Sequence, residues 1–176
     1  KTVTELEDIV KPFKDQKSGN EIKKGMEQGL IKNQEVEILH NDSEYKIIIP
    51  KTKEAAIYYG RNTRWCTSAE KNNRFDEYND GPLFIILHKK SNTRWQFHFE
   101  SKQFKDEADD EIDILEFRKT HPKIGKILSP YMNSITRVRF NCATEEDKLI
   151  AVTQNGEAIE FISNPSEEVQ IAAVKE

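Results

Sequence analysis

The chain has 176 residues, 27 Lys plus Arg against 31 Asp plus Glu, a formal net charge of -4, and 36% hydrophobic and 33% charged residues. That length suits one ordinary domain, or one domain and the start of another, and burial of roughly 70% of the unfolded surface supports a core without disulfides or structural zinc. The near-neutral balance excludes a generally basic nucleic-acid coat and leaves room only for a local basic site, while nine Phe, five Tyr and two Trp argue against wholesale disorder.

No apolar run approaches the ~20 residues of a membrane span, so a soluble, cytoplasmic protein is expected. Cys66 and Cys142 stand far apart in sequence and read as thiols of a reducing compartment, neither a metal-ligand pair nor a disulfide framework. The chain opens on Lys1, not Met, and a trimmed N-terminus is the expectation.

In chain order, Val3, Leu6, Ile9 and Val10 precede Pro12 at helical spacing, and Ile22, Met26 and Leu30 recur every four residues. Two short helices are predicted, making residues 1–43 a helical cap on whatever follows. A change comes at Glu44: EYKIIIP, bounded by Asn41-Asp42-Ser43 and Pro50, reads as a buried strand. Thr52 then N-caps a helix through KEAAIYYG that Gly60 closes. TRWCTS is a short strand candidate, EKNNRFDEYND a polar helix or loop, and GPLFIILHK and TRWQFHFES two strands joined by the hairpin turn KKSN. The acid-rich KQFKDEADDEIDILE follows, then helices from Ile112 to Thr120 and from Pro122 to about Met132.

Glu145 to Val152 lines up with Glu167 to Val174 at a spacing of 22 residues, each octet preceded by a capping Thr144 or Ser166. One short helix per unit is predicted, apolar on one side and in need of a neighbour to bury it. The second unit breaks off at Glu176, so a longer protein or a cut array is the expectation. The fold class expected is α+β: a small, mainly antiparallel sheet with strands near 45, 65, 84 and 96 and flanking helices. Its core domain covers 44–135, and the helical repeat region starts at 136–176.

Two resemblances attach to these segments. NPSEEVQIAAVKE, preceded by QNGEAIEFI, resembles short helical repeats of many viral and bacterial proteins catalogued as a domain of unknown function, over Thr144 to Glu176. The central pattern is carried by Gly60, Thr63, Trp65, Cys66 and Thr67, then Gly81 and Leu83, then Gln96-Phe97-His98-Phe99-Glu100, Gln103 and Asp106. It is similar to an uncharacterised family of phage and bacterial proteins. That resemblance implies a phage or mobile-element setting, in the cytoplasm of a bacterial host and in phage–host conflict, and carries no activity with it.

Chemistry is sought first on TRWQFHFES. In a strand alternate residues face opposite sides, so Trp95, Phe97 and Phe99 pack inward and Gln96, His98 and Glu100 share the other face. His98 and Glu100 are the candidate catalytic acid and base; an ordinary polar solvent face is the competing reading. Arg61, Thr63, Arg64 and Thr67 beside Gly60 form the candidate anion-binding turn, and Gln96 completes the ligand-binding set. Cys66 reads as core more than as nucleophile. The acidic run 106–111 reads as a solvated charge run in preference to a hard-cation site, so no metal is assigned, and no cofactor is named.

Two functions follow. One is a domain that binds a nucleotide or nucleic-acid ligand on the polar sheet face, in the manner of a toxin or anti-defence enzyme that transfers ADP-ribose or cleaves RNA. The other is a non-enzymatic module that binds a host or phage protein partner through its helical repeats.

Overall fold

The computed structural model describes residues 18–175. The helix read over Val3 to Val10 lies outside them. Helix α1 runs over Gly19–Lys32 and starts on a capping box, with the Ser18 hydroxyl accepting from the Glu21 amide and the Glu21 carboxylate accepting from the Ser18 amide. A strand, β1 (Val36–Asn41), follows inside the segment read as wholly helical. Its alternation is broken by an irregular register between Ile38 and His40, which hides the period-two signal. Asp42 then turns the chain, accepting from the amides of Glu44 and Tyr45.

Strands β2 (Tyr45–Pro50), β3 (Phe84–His88), β4 (Thr93–His98) and β5 (Gln103–Lys105) complete a five-stranded antiparallel meander in the order β1-β2-β3-β4-β5. The α+β class is as expected, with one strand misplaced: residues 63–68 form a bend and a 3-10 turn (Cys66–Ser68). Trp65 is buried against the sheet while its indole Nε1 donates to the Asp106 carbonyl, and the segment pairs with no strand among the described residues.

One sheet face carries Tyr45, Ile47, Ile49, Phe84, Ile86, Trp95 and Phe97, buried against Phe117, Ile124, Leu128 and Phe140. Those come from α3 (Ile114–Thr120), α4 (Pro122–Leu128) and the end of α5 (Ser134–Arg139). The opposite face meets helix α2 (Lys53–Gly60), capped by the Thr52 hydroxyl as predicted, and the 63–68 bend; Ile48, Ile85, Ala55, Tyr59 and Trp65 form this second cluster. The cross-strand register sorts that face into rows: Lys46, Leu87 and Arg94; then Ile48, Ile85 and Gln96; then His98 and Gln103 nearest the β4–β5 turn. Polar residues of β4 are therefore covered.

The C-terminal region has its own core of Val138, Ala151, Val152, Ala158 and Val169. It is built by α5, α6 (Glu145–Gln154), a 3-10 turn over Gly156–Phe161 and α7 (Glu167–Val174). The side chains of Asn133, Thr144, Asn155 and Ser166 each cap one of these four segments, and the caps recur every 11 residues. Each 22-residue unit thus holds two helical segments instead of one. No helix among the described residues is long and apolar enough to cross a membrane.

Candidate functional site

The row nearest the β3–β4 hairpin is charged. Lys46 and Arg94 lie on either side of Leu87 and point toward α2, a placement the antiparallel register imposes. Arg61, at the C-cap of α2, reaches over the same spot: its guanidinium lies 4.3 Å from the Tyr58 ring centroid and donates to the Tyr58 carbonyl. With Tyr58, Tyr59 and Glu27 these residues wall a pocket of about 220 Å³.

Its electrostatics are uneven. Lys46 pairs with Glu27, and Arg94 sits 3.5 Å from the Glu107 carboxylate, while Arg61 has an aromatic ring and a carbonyl. Three cations thus face two carboxylates. Arg94 is only 8% exposed. Burial lowers its pKa first and the Arg61 charge lowers it further, against the opposing pull of Glu107. Tyr59 is pushed far above the ordinary phenol by burial and then by Glu27, so it stays a hydroxyl and donates to the Glu27 carboxylate at 3.1 Å.

In the middle row Gln96 is buried, and its carbonyl accepts the Thr67 hydroxyl's hydrogen bond. Thr63 donates to the Gly60 carbonyl at 2.6 Å and sits 3.1 Å from the Ser68 hydroxyl. Thr67 and Gln96 thus satisfy each other and tie the bend to the sheet, while Thr63 braces the bend internally. Arg64 is exposed; its backbone amide donates to the Glu107 carbonyl at 2.9 Å.

His98 and Glu100 do meet, at the far end of β4. The His98 ring is 1% exposed and stands edge-on to Tyr78, with Nε2 3.4 Å from Asp80 and 3.6 Å from Glu100. Nδ1 accepts from the Ser101 amide at 3.3 Å, while the buried Nε2 faces the two carboxylates without a hydrogen-bond partner among the described residues. The Ser101 hydroxyl lies 2.7 Å from Nδ1, an arrangement suggestive of an activated nucleophile. An equal contact of 2.7 Å joins His88 to Ser91 in the β3–β4 hairpin, so His-x-x-Ser is a turn-closing device in this chain. Strand rise puts Arg94 and His98 roughly 13 Å apart along β4, so one small ligand does not touch both. The structure therefore brings Arg61 to Arg94 and His98 to Glu100, as two separate groups.

Glu27, Lys46, Tyr58, Tyr59 and Arg94 are the polar pocket residues that sequence reading passes over. The signal for Arg94 is present, because it continues the Gln96, His98 alternation one step back along TRWQFH. Lys46, one polar residue beside three Ile, reads as a lapse in a hydrophobic run until the register places it beside Arg94. The acidic loop is organised by Asp106, whose carboxylate accepts from the Ala108 and Asp110 amides. Among the described residues no group of three or more His, Cys, Asp or Glu is placed to hold a metal ion. No protein-family model, curated protein or solved structure matches this chain.

Proposed function

We propose that the protein binds a small phosphate-bearing ligand of the nucleotide class, with the phosphate in the Lys46–Arg61–Arg94 pocket. The observation that carries this reading is a nearly buried Arg94 held where Arg61 already lowers its affinity for a proton. Two guanidiniums in one depression repel each other, and an anion between them relieves that repulsion through charge-assisted, bidentate hydrogen bonds. The pocket, at 220 Å³, falls below the roughly 300 Å³ at which drug-sized sites begin, so it takes a phosphate and leaves the rest of the ligand at the mouth. The net charge of -4 favours a compact ligand over a nucleic-acid track.

A thermal-shift series with inorganic phosphate, ADP, NAD and a short RNA tests this, since a ligand of the native state alone must raise its apparent stability. The expected result is a rise with the phosphate-bearing small molecules that Arg94→Gln and Arg61→Gln each reduce by about tenfold in affinity, roughly 1.4 kcal/mol. A flat series would remove the reading.

A second reading, recognition of a protein through the repeats, is favoured by one feature. An open groove of about 850 Å³ runs between α6 and α7 over Leu149, Ile171 and Ala172. Capture of a host or phage protein that is lost in Ile171→Glu would support it.

A further inference from the structure

The pocket's walls include one carboxylate, Glu27, and it belongs to a helix with no buried residue. On this helix, α1, Ile22, Met26 and Ile31 are exposed. Leu30 packs half-buried against the inner cluster. The polar ties that join α1 to the α2 face all end on pocket residues: Glu27 on Lys46 and Tyr59, and the Lys23 carbonyl on the Tyr58 hydroxyl at 2.8 Å. A helix with few buried apolar contacts, held chiefly by polar ties, belongs to the part of a protein that opens at low cost.

We propose that Glu27 is a built-in counter-anion of the Lys46–Arg61–Arg94 pocket, which an incoming phosphate displaces, releasing α1. The inference rests on the pocket being an anion site. Glu27 holds the place a phosphate oxygen would take beside Lys46. Burial pushes its carboxyl up, but the Lys46 hydrogen bond and charge, Tyr59 and the Arg61 charge together hold it below the ordinary range, so it remains an anion. A second anion brought within a few ångströms repels it, and whichever binds the cations more strongly holds the pocket. A phosphate presents more charge and more acceptor oxygens than a carboxylate. Occupied by Glu27, the pocket is self-inhibited; occupied by phosphate, it frees the helix that covers it.

The test is calorimetric titration of ADP and of inorganic phosphate into the full chain and its Glu27→Gln variant, with amide hydrogen exchange followed in parallel. The isosteric amide keeps an acceptor for the Tyr59 hydroxyl and removes the competing charge. The expected result is ADP binding at least tenfold tighter in the variant. In the parent, ADP speeds exchange across Gly19–Lys32 and slows it across Lys53–Gly60. Glu27→Ala gives the same direction without the amide. Equal or weaker binding in both variants, or slowed exchange in α1 on ADP binding, overturns the counter-anion while leaving the anion site standing. If neither phosphate nor ADP binds the parent or either variant, the anion site falls and this inference with it.

Discussion

Burying Arg94 beside Arg61 costs free energy that Glu107 recovers only in part, because that carboxylate is 41% exposed and screened by water. Removing one partner of a buried ion pair is costly when it strands the other charge in the interior, but Glu107 is partly solvated and is not stranded when Arg94 is replaced by an apolar side chain. Arg94→Met is therefore expected to change unfolding stability by no more than about 1 kcal/mol while weakening phosphate binding by about tenfold. Loss of several kcal/mol in chemical denaturation would show Arg94 to be a structural ion pair. Asp147 gives the opposite case. Burial pushes its carboxyl up, but hydrogen bonds from the Thr144 amide and hydroxyl and the Arg137 guanidinium at 3.0 Å outweigh it, and the pKa is lowered. Its stabilisation is then full above the unfolded carboxylate value of about 3.9 and is lost as pH falls through the lower folded-state value. Asp147→Asn should cost about 1–2 kcal/mol at neutral pH and flatten the acid limb of the stability profile. An unchanged acid limb would contradict that role.

At the scale of elements, the two repeat units make a matched comparison. Val152 and Val174 occupy the same place in the 22-residue pattern, yet the first is fully buried and the second is 86% exposed. Val152→Ala is expected to cost about 2 kcal/mol and Val174→Ala less than about 0.5 kcal/mol. Equal costs would mean that α7 is covered in solution. Two glycines differ in the same way. A Cβ on Gly125 in α4 would stand 2.7 Å from the ring of the buried Phe140, whereas one on Gly81 would meet the mobile end of Glu100. Gly125→Ala should destabilise by about 1–2 kcal/mol despite its better helix propensity, and Gly81→Ala should only move Glu100 off His98. Thermal unfolding of the pair checks the contrast. Helices α2, α6 and α7 were readable from their caps, since Thr52, Thr144 and Ser166 are local signals. β1 was not, because its irregular register masks alternation, and residues 63–68 read as a strand because burial of Trp65 looks the same in a one-dimensional pattern whether the backbone is extended or bent.

Across the whole molecule, the aromatic inner face of β4 was legible from alternation, and so was the polar identity of the other. Its covering was not legible. A meander with helices on one side leaves the second face to solvent by default, and only the packing of α2, the 63–68 bend and Tyr78 shows that Gln96 and His98 lie beneath other residues. The cation pocket escaped for a related reason: Lys46, Arg61 and Arg94 come from three elements far apart in sequence, brought together by sheet register and by the end of α2. Arg61 alone was visible, beside a glycine. The measurement that bears most directly on the anion site is an NMR titration of the full chain with ADP, following the guanidinium Nε–Hε signals of Arg61 and Arg94 and the ring of His98. Saturable shifts at both arginines with a still His98 are the predicted result. Shifts centred on His98 and Tyr78, with both arginines unmoved, would place the ligand at the other end of β4 and contradict the account.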